Sequence, residues 1–129
     1  MLNPEEKFID LSQPQILSIV GEKSKKSGYA RLSGKKVETL LLQDRSITGL
    51  TKARDAETYM MRMQNFHISP NLYVCGADFQ SPIQVTDTNP QQQKFAWGKS
   101  EIIGFTNKTG KDLQGALYYP AGYESGKKY

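Results

Sequence analysis

Hydrophobic and polar residues alternate in short runs along most of the chain, and this alternation predicts β-strands. Turns rich in Gly and Lys separate the runs. The runs predicted as strands are Phe8–Leu11, Ile16–Val20, Tyr29–Leu32, Val37–Leu42, Leu72–Cys75 and Ile83–Thr86. Short strands with frequent turns indicate a meandering antiparallel sheet, and the pattern fits a β-propeller blade and a β-sandwich equally well.

Residues 51–65 fit two patterns. Ala53, Ala56, Met60 and Met63 have the spacing of an amphipathic helix, whereas Tyr59, Met61 and Met63 would share one face of a strand. The residues alone leave both possibilities open. In either case the methionines are expected to fill a core, because copper ligation by thioethers would also need histidine within the cluster.

The segment Ser100–Pro120 predicts a β-hairpin. Residues 102–105 lead into a turn at Asn107–Gly110, where Asn and Gly tolerate the positive φ angles of tight hairpins. On the return strand Leu113, Leu117 and Tyr119 fall on one face, and an isolated hairpin of this kind is marginally stable. Because the chain stops nine residues after Pro120, we expect the partner sheet to lie beyond it, in a longer protein.

The C-terminal third of the chain resembles one junction in the prolyl oligopeptidase family of serine peptidases, in the branch of dipeptidyl peptidase IV and the acylaminoacyl peptidases. The family's pattern joins a last propeller strand, a tryptophan-bearing linker and a hairpin of the form E-x-x-x-[FW]-x-x-x-x-G-x-x-[LI]-x-G-x-[LI]-x-x-P. The matching segments are Val85–Asp87, Ala96–Gly98, Glu101–Pro120 and Gly122–Tyr129, with a looser match at Ser69–Val74. The resemblance favours the strand over the helix for residues 57–64.

The resemblance implies a mainly β fold, with antiparallel sheets of β-propeller blade type, about two partial blades, and then the hairpin that opens an α/β-hydrolase domain. Residues 1–87 would be the C-terminal part of a propeller and 88–98 a linker. Residues 99–129 would be the N-terminal hairpin of a truncated peptidase domain. The chain would then be a non-catalytic fragment of a serine-type peptidase whose substrates are peptides and whose compartment, exported or cytoplasmic, is unknown.

No complete catalytic set occurs in the sequence, and no residue is assigned a catalytic, metal-binding or cofactor-binding role. The nucleophile elbow G-x-S-x-G is absent, and the nearest segment, Gly122–Gly126, has Glu124 at its centre. His67 is the single histidine and is expected to cap or fill a loop. Cys75 is the single cysteine, so an intrachain disulfide is excluded and a small buried hydrophobe is expected.

Composition and charge exclude several classes of partner. Hydrophobic residues make up 37% of the chain and the net charge is +4, with lysines spread over separate turns. Neither a nucleic-acid-binding motif nor a run of apolar residues long enough for a membrane span occurs. Residues 1–6 lack the basic and apolar regions of a signal peptide.

A second interpretation is a small β-rich, non-catalytic module that binds a carbohydrate or a protein ligand. It depends on the aromatic residues Trp97, Tyr118, Tyr119 and Tyr123, which could stack on sugar rings. Under either interpretation the unpaired edges of the sheets invite pairing with another chain, and we therefore expect self-association through sheet edges.

Overall fold

Short alternating segments form nine β-strands in the computed structural model, which describes residues 8–128. The strands are β1 (Gln15–Val20), β2 (Ser27–Ser33), β3 (Lys36–Gln43), β4 (Ser46–Lys52), β5 (Thr58–Gln64), β6 (Asn71–Gly76), β7 (Ile83–Gln84), β8 (Lys99–Thr106) and β9 (Asp112–Tyr119). The sole helix of the described residues is a 3₁₀ turn, Pro90–Lys94. The prediction of a mainly β protein built from antiparallel strands is confirmed.

Consecutive strands pair in three antiparallel sheets. The first sheet has the order β1-β2-β3, the second has the order β4-β5-β6-β7, and β8 pairs with β9 in a hairpin. The chain divides into two compact units, Met1–Thr88 and Asn89–Tyr129, so the first two sheets belong to one unit and the hairpin to the other. Residues 1–7, on which the signal-peptide prediction depended, and Tyr129 lie outside the described residues.

The core of the first unit lies between its two sheets. Along β5, residues 59, 61 and 63 are buried whereas residues 60 and 62 are exposed, which is the alternation of a strand with one face on a core. Met61 and Met63 are completely or almost completely buried. The expectations of a strand at 57–64 and of core-filling methionines are therefore confirmed, and the helical alternative is wrong.

Phe79 closes this core from the loop between β6 and β7. Its side chain is 0% exposed, and its ring lies 5.8 Å from that of Tyr29 on the first sheet and 4.8 Å from that of Tyr59 on the second. The residue has a φ of 59°, a conformation that is costly for a bulky side chain. Burial of the ring between two sheets offsets this local cost.

Two further contacts attach the same loop to the first sheet. Arg31 of β2 donates a hydrogen bond to the carbonyl of Ala77 at 2.7 Å, and Gln80 donates one to the carbonyl of Leu40 at 3.3 Å. The loop therefore joins two strands of the second sheet and contacts both sheets. These long-range bonds hold Phe79 over the core.

Asn71 is the one buried polar residue among those described, and it fastens the end of the second sheet. Its Oδ1 accepts hydrogen bonds from the Thr86 hydroxyl and from the Thr88 amide, both at 3.0 Å. Its Nδ2 donates to the carbonyl of Ser69 at 3.3 Å. Both the oxygen and the nitrogen of the side-chain amide have hydrogen-bond partners, as buried polar groups normally do. These bonds join the start of β6 to the segment that follows β7.

Both sheets of the first unit also carry apolar residues on the face that points away from the shared core. Met60, Val74 and Ile83 lie side by side across β5, β6 and β7, and Ile83 is 70% exposed. On the first sheet Leu17 opposes Ala30, and Leu42 opposes Gly28. An antiparallel sheet that faces water normally has polar residues on that face, and here Arg62 and Thr48 share the outer face with the apolar row of Met60, Val74 and Ile83.

Several sequence expectations need correction. Phe8–Leu11 is not a strand, because Asp10 accepts two hydrogen bonds from Ser12 and bends the backbone into a turn. The strand predicted at Ile83–Thr86 is shorter, since β7 ends at Gln84. The sequence reasoning missed β4, where Gly49 adopts a φ of 66° and interrupts the alternation with a bulge.

We expect Phe79→Ala to lower the free energy of unfolding of the first unit by about 3–5 kcal/mol, because it leaves a cavity between two sheets. Phe79→Leu should cost less, since it retains most of the buried volume. Phe8→Ala is the matched control, because Phe8 is 85% exposed, and it should change stability by less than about 0.5 kcal/mol. Urea unfolding followed by circular dichroism measures all three, and equal midpoints for the Phe79 and Phe8 variants would contradict this account.

Candidate functional site

A shallow, open groove lies at one corner of the first unit. Its volume is about 370 Å³. The end of the β1–β2 hairpin forms one wall, and the connection between β3 and β4 forms the other. The lining residues are Ser18, Val20, Lys25, Ser27, Asp44, Arg45, Ser46, Ile47, Thr48 and Asn65. Seven of these carry a polar uncharged or positively charged side chain, although the surface that the groove exposes is more apolar than polar.

Ser27 fixes the position of the β3–β4 connection beside the first sheet. Its hydroxyl donates a hydrogen bond to the carbonyl of Arg45 at 2.7 Å and accepts one from the amide of Ile47 at 2.8 Å. One side chain thus satisfies two backbone groups of the connection, which lie where the chain leaves one sheet and enters the other. The backbone of the groove is therefore held in place before any ligand arrives.

Arg45 is half-buried in the groove and contacts Tyr73 of β6. Its Nη1 donates a hydrogen bond to the Tyr73 hydroxyl at 3.4 Å, and the guanidinium carbon lies 5.8 Å from the centre of the tyrosine ring. The hydroxyl in turn donates to Oε1 of Gln84 at 2.8 Å. This relay of hydrogen bonds orients the guanidinium from one side.

Positive charge predominates in the groove. Lys25 and Arg45 contribute two cations, whereas Asp44 contributes one anion. No ion pair joins Asp44 to either cation among residues 8–128. Asn65 uses its Oδ1 to accept the amides of His67 and Ile68, and an amide that accepts through oxygen keeps its Nδ2 as a donor.

The second unit contains a separate cluster of charged and aromatic side chains at the open end of the hairpin. The Tyr119 hydroxyl donates a hydrogen bond to Oε1 of Glu101, and Lys99 Nζ lies 4.3 Å from the centre of the Tyr119 ring. Tyr123 packs on Tyr119 with a distance of 4.4 Å between ring centres. The hydrogen bond to the Glu101 carboxylate raises the pKa of Tyr119 to about 12, so the phenol stays protonated at neutral pH.

The residues considered for nucleophilic catalysis lie in unsuitable positions. Cys75 is buried on the core face of β6, and burial together with the negative charge of Asp78 raises the pKa of its thiol, which keeps it protonated. The role of a small buried hydrophobe is thereby confirmed. His67 is exposed in the turn between β5 and β6, with its ring against Phe66 at 5.3 Å. Glu124 and Ser125 are exposed in the turns after β9.

In residues 8–128, no cluster of three or more His, Cys, Asp or Glu side chains could hold a metal ion. The 3₁₀ turn, the one helix in that range, is too short to cross a membrane.

The four aromatic residues considered for sugar stacking do not share one surface. Tyr118 and Tyr119 are neighbours on β9 and therefore point to opposite faces of the hairpin. The rings of Tyr119 and Tyr123 pack against each other at a tilt of 51°, while the indole of Trp97 donates a hydrogen bond to the carbonyl of Gln92 at 3.0 Å. Three of the four aromatic side chains therefore already have contacts within the second unit.

Comparison with known proteins shows a likeness of fold and none of sequence. No family model matches the chain, and no curated protein matches it. A solved structure of the isopeptidase AtxE2, a serine-to-alanine variant with Astexin3-dC4 bound, matches 89% of the chain with a TM-score of 0.67 and 16% identity. The chain spans 18% of the length of that isopeptidase. At this identity the match establishes the fold alone.

The assignment to the prolyl oligopeptidase family is therefore wrong. No family model supports it, and the isopeptidase is too dissimilar in sequence to establish a family. The structure explains why the motif misled. Gly110 has a φ of 78° in the hairpin turn, and Leu113 and Leu117 lie on one face of β9. Residues of these types at these spacings are what any hairpin of this length needs, so the motif selects a hairpin and not a family.

We expect Tyr119 to titrate well above the ordinary tyrosine pKa of 10.0, at about 12. Because the raised pKa reflects a stabilised neutral phenol, its contribution to stability is complete below pH 10 and is lost as the pH rises through about 12. The difference in phenolate absorbance between the wild type and Tyr119→Phe measures this pKa. Glu101→Gln should lower it towards 10.0, whereas Asp112→Asn, at the other end of the hairpin, should leave it unchanged. A pKa near 10 for Tyr119 in the wild type would refute the effect of the Glu101 hydrogen bond on this phenol.

Proposed function

We propose that this chain is a non-catalytic β-sheet part of a larger protein that hydrolyses peptides. The observation that carries the proposal is the apolar character of both outer faces in the first unit. Leu17 and Leu42 of the first sheet and Ile83 of the second remain exposed after the shared core has formed. Exposed apolar surfaces of this kind mark sites where further protein packs.

We propose that the two sheets of the first unit are blades of a β-propeller, and their meander topology supports this assignment. Each is an antiparallel meander of three or four strands, and the two pack around one core in the way that successive blades do. In this proposal residues 1–87 contribute two sheets to a stack of blades, and the outer faces contact the next blades on either side. The apolar row Met60, Val74 and Ile83 would then lie in a second core.

The hairpin of the second unit fits a role as the first element of another domain. None of its residues is buried, although Ile103, Phe105, Leu113 and Leu117 share one face. A two-stranded hairpin needs a larger sheet or another surface to be stable. We propose that residues 88–98 are a linker and that residues 99–129 open a hydrolase domain of the α/β type.

Peptide hydrolysis would be carried out elsewhere in the larger protein. The isopeptidase with the similar fold is much longer than this chain, which supports a division between a sheet scaffold and a separate catalytic part. Within this chain Cys75 is buried and protonated, and His67 is exposed in a turn. The sheets would therefore position or restrict the substrate, and a serine nucleophile is expected outside this segment.

The full reading frame around this segment tests the proposal. We expect this chain alone to be inert towards a panel of fluorogenic peptides, and the protein from the full frame to cleave at least one of them. A serine-directed fluorophosphonate probe should label the full protein outside residues 1–129. Activity in the isolated chain, or a full frame without any nucleophile that the probe labels, would refute the proposed function.

We also propose that the isolated chain self-associates through its sheet edges. The edge strands β3 and β7 carry Val37 and Ile83, which are 60% and 70% exposed. Unpaired edges with apolar side chains favour pairing with another copy.

We expect dimers or larger species in size-exclusion chromatography with light scattering. The double variant Val37→Lys, Ile83→Lys should shift the chain towards monomer, because charge on an edge strand opposes pairing. Gln93→Lys, Ala121→Lys adds the same charge outside the edge strands and should have little effect. A monomeric wild type at all concentrations would contradict the expectation.

A further inference from the structure

Arg45 has hydrogen-bonding capacity that residues 8–128 do not use. Its guanidinium has one hydrogen bond, the 3.4 Å bond to Tyr73, and no carboxylate within 4.0 Å among the described residues. The half-buried guanidinium lies against the Tyr73 ring and keeps part of its surface open to water. The remaining N–H groups form a planar fork whose geometry matches a carboxylate.

The surroundings of Arg45 are those of a ligand site for a small extended molecule. The volume of about 370 Å³ falls within the range of roughly 300–1,000 Å³ that small-ligand pockets have. Val20 and Ile47 provide apolar surface, while Ser18, Ser46 and Asn65 provide hydrogen-bonding groups. Neither a purely apolar ligand nor a bare inorganic anion would use both kinds of surface.

The groove lies over the face of the first sheet that is turned towards the core. Ser18 and Val20 of β1 line it with their side chains, which share that face with Ser27 and Tyr29 of β2. A peptide that ends in this groove would place its last side chain on Val20 and Ile47 and its terminal carboxylate at Arg45.

We propose that the groove binds the carboxyl-terminal end of a peptide, with Arg45 holding the terminal carboxylate in a bidentate contact. Lys25 adds positive charge to the same wall, and Asn65 can donate through its Nδ2. Asp44 opposes acidic side chains near the chain end, so neutral residues are preferred there. The site lies wholly in the first unit, and the proposal does not depend on the peptidase role of a larger protein.

The test compares two peptides that differ at one group. N-acetyl-Ala-Ala with a free carboxylate and the same peptide with a terminal amide are titrated into the ¹⁵N-labelled chain and followed by NMR. We expect the acid to shift the signals of groove residues with saturation, including the side-chain Nε–H of Arg45. The peptide with the terminal amide should bind at least about tenfold more weakly than the acid, because the charge-assisted pair with Arg45 is lost. Inorganic phosphate is the third probe, and it should bind more weakly than the acid.

Variants of Arg45 test whether this residue contacts the terminal carboxylate. Arg45→Gln should weaken binding of the acid about tenfold or more and abolish its advantage over the amide, whereas Arg45→Lys should retain part of it. Lys35→Gln is the control, because it removes the same charge from an exposed turn outside the groove, and it should change binding less than about twofold.

Each alternative result overturns the proposal. Equal binding of acid and amide would exclude recognition of the carboxylate. Unchanged binding of the acid in Arg45→Gln would exclude Arg45 as the residue that holds the carboxylate. Tighter binding of phosphate than of the acid would exclude a peptide as the ligand. The comparison of acid with amide on the wild-type chain decides the matter even if Arg45→Gln does not fold. None of these results bears on whether a larger protein cleaves peptides.

Discussion

The insertion of Phe79 between Tyr29 and Tyr59 is the interaction on which the first unit depends. The phenylalanine comes from a loop after β6, and the two tyrosines come from different sheets. Without the ring, the two meanders would share fewer apolar contacts in their common core. The positive φ of Phe79 shows that the loop accepts a strained backbone in order to place this side chain.

The same packing creates the groove. Because the two sheets are held face to face, the chain that connects β3 to β4 must turn sharply at their common corner, and Ser27 fixes its backbone there. Arg45 is in that connection and reaches Tyr73, a residue of the second sheet. A cation is thereby placed at the edge of an apolar core with most of its donors still directed towards solvent or a ligand.

Exposed apolar residues lie on the outer faces of both sheets, and none of the hairpin residues is buried. Exposed apolar surface of this kind marks sites where further protein packs. A Cys–His catalytic pair, by contrast, requires the two side chains within hydrogen-bonding distance, and here the cysteine is in the core while the histidine is in an exposed turn.

The sequence by itself determined most of the strands, because alternation has a local cause, but it left residues 57–64 open between strand and helix and did not indicate β4. Tyr59, Met61 and Met63 must share a face wherever the strand lies, and the Asn107–Gly110 turn fixes a hairpin without help from the rest of the chain. A local turn also explains why Phe8–Leu11 failed as a strand, since Asp10 and Ser12 satisfy the backbone there in another way.

Only the tertiary structure decided where Phe79 and Arg45 act. Phe79 is in a loop whose hydrophobic residues show no periodicity. Its burial depends on the packing of two sheets, and the residues next to it in sequence do not predict that packing. Arg45 is one of many basic residues in turns, and nothing near it in sequence indicates that Tyr73 and Ser27 would surround it. Backbone pairing and alternation are short-range properties, whereas a core and a binding groove arise from contacts between residues far apart in the chain.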